Sequence, residues 1–202
     1  MRKGIALKRQ LSNREEQILL LLKRFDFLTR DQLSQYFKLG KKRNANRVLH
    51  ELSPYLSTIR DGHQTIYYLN KDGREYVDCN KIRRKTNQVQ HTVMRNEFWV
   101  FYKCPGDWKN EVKISDGETT VISDAMFSRN GFKHFLEVDH LQTMKENREK
   151  IKRYKKLMNG IVSSFGYYPT LIWLTTTEHR RKQLEAACEG LKCKVYTVND
   201  IK

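Results

Sequence analysis

Two apolar, strand-like runs in this chain end in acid: one closes on Ser123-Asp124-Ala125, the other on Phe135-Leu136-Glu137-Val138-Asp139. Strands of this kind belong in a sheet, and neighbouring strands would bring their terminal carboxylates together. Asp and Glu oxygens are the hard ligands that Mg²⁺ and Mn²⁺ take, and a metal beside phosphate is a common device for hydrolysing a nucleic-acid backbone. DNA cleavage is therefore the first expectation, and DNA binding without cleavage its rival.

Charge supports a polyanionic partner. The chain has 202 residues, with 39 Lys and Arg against 23 Asp and Glu, a formal net charge of +16. Phosphate neutralisation with counterion release rewards such a surplus, whereas an enzyme for small neutral substrates has no use for it. A basic ribosome-like or membrane-surface protein is the plainer alternative. No apolar run reaches the ~18 residues of a membrane span. Met1 to Arg9 is basic with no apolar signal segment after it, so the expected location is cytoplasmic. Cys79, Cys104, Cys188 and Cys193 lack C-x-x-C spacing, which argues for thiols in a reducing compartment over zinc.

The surplus is uneven. Residues 1–86 carry 20 basic and 9 acidic side chains, and the remainder 19 and 14. Lys81 to Gln88 is polar and basic, and reads as a linker between two units, 1–85 and 86–202.

In the first unit, Ser12 or Asn13 can cap a helix with Glu15 and Glu16 in its first turn and Ile18, Leu19, Leu21 and Leu22 on its apolar face. Thr29 and Gln32 have capping-box spacing for a second helix, ending near Leu39-Gly40. A third, from Lys42 to Leu52, gathers Lys41, Lys42, Arg43, Asn44, Asn46 and Arg47 at its start. That is the pattern of a recognition helix, whose first residues meet base edges and phosphates. Tyr55–Arg60 and Thr65–Leu69 flank Asp61-Gly62-His63-Gln64 as a hairpin, which would be a wing with His63 at its tip, and Lys71 opens a closing helix. The expectation is a winged helix-turn-helix contacting DNA through Lys41, Lys42, Arg43, Asn44, Asn46, Arg47 and His63. A trihelical unit that binds protein is the alternative.

The second unit reads α-β-β-β-α-β-α-β: a helix over 90–102, strand runs over 108–114, 119–127 and 132–139, a basic helix over 142–159, a buried strand over 168–175, a helix over 178–189 and a strand over 194–198. The whole is an α+β chain. The order resembles the restriction-endonuclease-like fold, in which two acids on adjacent strands and a nearby Lys form the PD-(D/E)xK metal site. Ser123-Asp124 stands for the first element and Glu137-Val138-Asp139 for the second, with Asp where the motif has Lys. Lys145 and Lys150 on the following helix are candidates to replace it, and Lys150 fits better because it adjoins Ile151 and Tyr154 on the inward face.

With His91 and Asn96, Ser123-Asp124-Ala125, Phe135 to Asp139, Lys150-Ile151 and Tyr154, the chain also resembles the replication-relaxation family of plasmids and mobile elements. Metal-dependent plasmid relaxases look similar. The resemblance implies a winged helix followed by a restriction-endonuclease-like α/β domain, and a role in plasmid replication or relaxation of supercoiled plasmid DNA. Its partner would be double-stranded DNA from a plasmid or mobile element, with no membrane, and a homodimer is allowed.

The catalytic set expected is Asp124, Glu137, Asp139, Lys150 and His91. Asp124, Glu137 and Asp139 would hold Mg²⁺ or Mn²⁺, Lys150 would steady developing charge, and His91 would orient groups or move a proton. Tyr154 could be a nucleophile, although a Tyr on an inward face more often packs a core. The alternative is a DNA-binding regulator or replication factor that has lost catalysis, which the absent motif Lys favours.

Overall fold

The fold follows from a computed structural model that describes residues 10–201, so the basic stretch Met1 to Arg9 lies outside the described residues. The chain is α+β and divides into two units, Met1–Lys85 and Thr86–Lys202.

The first unit contains α1 (Asn13–Phe25), β1 (Leu28–Thr29), α2 (Arg30–Phe37), α3 (Lys42–Glu51), β2 (Leu56–Asp61), β3 (Gln64–Leu69) and α4 (Lys71–Tyr76). Ser12 and Thr29 start α1 and α2 with full capping boxes, closed by Glu15 and Gln32. These reciprocal bonds satisfy N–H groups that a helix start leaves without partners. α2 stops two residues before the expected Leu39, because Lys38 already takes the left-handed conformation, at φ 51°. Ile18, Leu19, Leu22 and Phe25 are buried along one face of α1, and Leu33, Ala45, Val48 and Leu49 from α2 and α3 are buried with them. The antiparallel sheet has the order β1-β3-β2, with Gly62-His63 linking the paired residues Asp61 and Gln64. Gly73 lets α4 close on the preceding chain: a Cβ there would lie 2.1 Å from the Tyr55 carbonyl oxygen.

The second unit contains α5 (Gln88–Phe101), β4 (Lys109–Ser115), β5 (Thr120–Arg129), β6 (Phe132–Asp139), α6 (Met144–Phe165), β7 (Thr170–Thr175), α7 (Glu178–Ala187) and β8 (Cys193–Thr197). Its sheet runs β4-β5-β6-β7-β8, antiparallel through β6 and parallel from β6 to β8. Parallel neighbours need crossovers, which α6 and α7 supply. All six residues of β7 are buried, as expected of an interior strand covered on both faces. Phe135, Leu171 and Trp173 pack with Ile151, Tyr154, Leu157 and Met158 of α6 and Leu184 of α7. By strand alternation Leu136 and Val138 face the other side, where α5 lies against β6.

α6 continues six residues past the expected end at Asn159. Gly160 does not stop it, because a Cβ there would fall 2.6 Å from an Asp116 carboxylate oxygen, so the glycine makes room for the β4–β5 turn. The helix ends at Gly166, which is left-handed at φ 71°. Among the described residues, no helix is long and apolar enough to cross a membrane.

Candidate functional site

Backbone pairing between β5 and β6 begins at Arg129 opposite Phe132 and ends at Ala125 opposite Leu136. Beyond that pair, side chains take over. Asp124 Oδ2 accepts from the Val138 N–H at 2.7 Å, and Ser123 Oγ donates to the Leu136 carbonyl at 3.0 Å. On the other flank Glu111, which falls between the pairs Asn110–Ala125 and Val112–Ser123, sits at φ 52°. A non-glycine residue held there costs on the order of 1 kcal/mol, and such strain persists where its surroundings demand it. Asp124 thus stands at a fork in the sheet.

Its other oxygen meets His91 Nε2 of α5 at 3.1 Å. Gln142 Nε2 lies 3.4 Å from His91 Nδ1. With Gln142 donating there, His91 carries its proton on Nε2 and donates to Asp124. Burial alone would raise the Asp124 pKa. His91, then Lys150 and the Val138 N–H, outweigh burial and hold the carboxyl below its ordinary range.

Glu137 points to the α6 side and is 1 % exposed. Tyr154 Oη donates to its Oε1 at 2.6 Å, and Lys150 Nζ donates to its Oε2. Donors on both oxygens are what an ionised carboxylate requires, yet burial, and after it the charge of Asp124, pushes the Glu137 pKa up to about 8. The donors therefore offset desolvation only in part. Lys150 is bonded to Glu137, and its charge also reaches Asp124 through space. Tyr154 is fully buried, and its hydroxyl is raised well above its usual pKa by burial and then by Glu137. It is part of the core and a hydrogen-bond donor, which argues against its use as a nucleophile.

Asp139 has different partners. Arg180 Nε and Nη2 each reach one of its oxygens at 2.5 Å, Thr175 Oγ1 donates at 2.6 Å and Asn147 Nδ2 at 2.8 Å. The carboxylate is 0 % exposed, and although burial raises its pKa, Arg180, Thr175 and Asn147 bring it below the ordinary value. Arg180 also donates to the Gln142 carbonyl at 2.7 Å, tying this pair to the loop that reaches His91.

Two hard carboxylates, Asp124 and Glu137, have the donor chemistry of Mg²⁺ or Mn²⁺. Mg²⁺ commonly uses one or two carboxylates and fills its octahedron with waters and phosphate oxygens. Asp139, expected as a third ligand, is closed off by Arg180, and among the described residues no group of three or more His, Cys, Asp or Glu is arranged to hold a metal. An ion placed there would have to be shared with a phosphate rather than caged by protein alone, and would displace partners that now occupy both oxygens of each carboxylate.

In the first unit, Lys41, Lys42, Arg43, Asn46 and Arg47 are exposed on or beside α3, and His63 is exposed at the β2–β3 hairpin. Asn44 differs: it donates to the Leu39 carbonyl at 2.7 Å and accepts from Arg47 at 3.1 Å, so it braces the α2–α3 turn. The start of α3 contrasts with those of α1, α2 and α6. It has no side-chain cap and no acid in its first turn, while the other three have capping boxes and acidic first turns. Unsatisfied N–H groups, the positive end of the helix dipole and Lys41, Lys42 and Arg43 coincide there, an arrangement that suits an anion.

Gln142, Asn147, Thr175 and Arg180 join the site with no motif to mark them. Arg180 lies 41 residues from Asp139, and no local signal joins them. The only clue to Asn147 was its polar side chain on the inward stripe of α6, four residues before Ile151.

No curated protein matches the chain. The replication-relaxation family model matches residues 19–166, which run from α1 through α6 and include Asp124, Glu137, His91 and Lys150. With nearly three quarters of its length matched, the chain belongs to the replication-relaxation family.

Proposed function

We propose that this protein binds plasmid or mobile-element DNA through a winged helix in residues 1–85 and nicks it at a restriction-endonuclease-like centre in residues 86–202. Supporting the winged helix are the order α1-β1-α2-α3-β2-β3 and the exposed cations at the uncapped start of α3. The nuclease reading is carried by one observation: two acids borne on neighbouring strands, Asp124 and Glu137, stand at the fork between β5 and β6, and the ammonium of Lys150 is bonded to Glu137. Lys150 replaces from a helix the Lys that the second strand motif lacks.

In this reading, His91 fixes the orientation of Asp124, and Asp124 stays ionised. Glu137, with a pKa about 8, can take or hold a proton at its carboxyl near neutrality. Lys150, held against Glu137 but partly exposed, offers positive charge to a phosphorane-like transition state. A divalent ion bound by Asp124 and Glu137 would polarise the phosphodiester and acidify a water.

The test is supercoiled plasmid incubated with Mg²⁺ or Mn²⁺. Asp124→Ala and Glu137→Ala should abolish conversion to open circle, and Lys150→Ala should slow it at least ~100-fold. Binding measured in chelator should persist in all three.

The burial of Glu137, with both oxygens occupied, favours a second reading, in which the cluster is structural and the chain is a DNA-binding regulator or replication factor. Plasmid left supercoiled under every metal condition, with duplex binding retained, would decide for it.

A further inference from the structure

The carboxylates gather toward the end of β6. Near its start the surface has the opposite chemistry. A cleft of about 440 Å³ is lined by Tyr102 at the end of α5, Arg129 and Phe132 of the β5–β6 turn, and Lys192, Lys194 and Tyr196 at β8. No acid lines it. Arg129, Lys192 and Lys194 have no carboxylate partner among the described residues, unlike Lys150 and Arg180.

These cations stand over aromatic rings. The Arg129 guanidinium is 5.0 Å from the centre of the Tyr102 ring, and Lys192 Nζ is 5.4 Å from that of Phe132. Phe132 is 45 % exposed, and its ring meets Tyr167 edge-on at 5.0 Å; Tyr167 in turn stacks with Phe165, also exposed. Tyr102 and Tyr196 join hydroxyls at 3.2 Å, which holds the floor of the cleft in place. Burial, with the charges of Lys192, Lys194 and Arg129 nearby, lowers the pKa of His134 in the same wall. Adding another cation here is unfavourable, and an anion would relieve the repulsion.

We infer that this cleft is a binding platform for single-stranded nucleic acid, with backbone phosphate held by Arg129, Lys192 and Lys194 and a base stacked on the exposed Phe132 ring, which Tyr167 backs edge-on. Exposed rings interleaved with unpaired cations suit a flexible strand with free base faces; a duplex hides those faces within its own stack. Duplex contact at α3 uses different residues, so the inference rests on the nucleic-acid reading of the chain but requires no cleavage.

The test is fluorescence anisotropy of the full chain in chelator with labelled oligo-dT, oligo-U and a duplex. Phe132→Ala, and the pair Arg129→Ala with Lys192→Ala, should weaken single-strand binding about 5- to 100-fold, with duplex affinity unchanged. Phe132→Trp should retain it. Thermal midpoints check folding, which so exposed a side chain leaves intact. Whichever oligomer binds tighter and is lost in the variants identifies the strand as DNA or RNA. Wild type that binds duplex but neither oligomer, or variants that bind oligomers as wild type does, would overturn this inference alone; failure to bind any of the three would overturn the nucleic-acid reading as well.

Discussion

In residues 1–85 the side chains assigned to function stand in water: Lys42, Arg43, Asn46 and Arg47 line an exposed helix face, and His63 an exposed hairpin. In residues 86–202 they are sunk in the fold, with Glu137 and Asp139 almost wholly inaccessible and matched to Lys150, Tyr154, Arg180, Thr175 and Asn147. The difference teaches what each kind of charge does. Exposed cations cost the fold little and are free to release counterions on meeting a polyanion. Buried acids must be satisfied internally, so their chemistry and the stability of the domain are coupled.

The comparison breaks most readily at Asp139. Replacing Arg180 with Ala leaves a buried carboxylate without its bidentate partner, and the expected loss is about 3–5 kcal/mol in denaturant unfolding at neutral pH. Because the folded-state pKa of Asp139 is depressed, its contribution is present above the unfolded carboxylate value and disappears as pH falls through the lower folded one. A loss under about 1 kcal/mol would mean that the pair is no more than a surface bridge.

Glu137 should have the opposite pH dependence. Its folded pKa lies above the unfolded value, so between about 4.5 and 8 the folded state holds a proton that the unfolded chain has released, and stability falls as pH rises. Glu137→Gln removes this titration. Relative to wild type, the variant should gain roughly 2–4 kcal/mol in unfolding free energy from pH 4.5 to pH 8.5. Parallel profiles for the two proteins would show that the ion pair with Lys150 fully offsets burial.

At α3 a cap can be added where there is none. Lys41→Ser should stabilise the chain by about 0.5–1 kcal/mol in thermal unfolding and, if the proposed interface holds, still weaken duplex binding, since it removes a cation and satisfies an N–H that the proposal gives to phosphate. Better stability with unchanged affinity would remove that helix start from the interface. Arg43→Ala should have the smallest effect on stability, within about 0.5 kcal/mol, while reducing the salt dependence of duplex binding by about one phosphate contact. An unchanged salt slope would leave Arg43 as an ordinary solvated side chain.

Legibility in the sequence followed the range of the interactions. The cap at Thr29, the Gly62 hairpin and the strand runs around Asp124 and Glu137 depend on neighbours a few residues away, so spacing and residue type sufficed to find them. The full length of α6 was not legible. Gly160 looks like a terminus by propensity, and only the Asp116 side chain packed against it explains a glycine inside the helix. Lys150 was reachable as a candidate because it lies on the inward side of an amphipathic helix. The bond from the Asn44 amide to the Leu39 carbonyl is not legible either, since nothing local in the sequence points to it.

The order of residues by itself determined the basic surplus, the boundaries of most elements and the membership of the replication-relaxation family, because composition, periodicity and capping are properties of short stretches. Tertiary structure alone decided how the acids divide. Sheet register and the two crossovers set Glu137 beside Lys150 and Asp139 beside Arg180, partners 13 and 41 residues away, and with burial raising both, the partners around each fixed which carboxyl stays ionised and which is driven toward its neutral form.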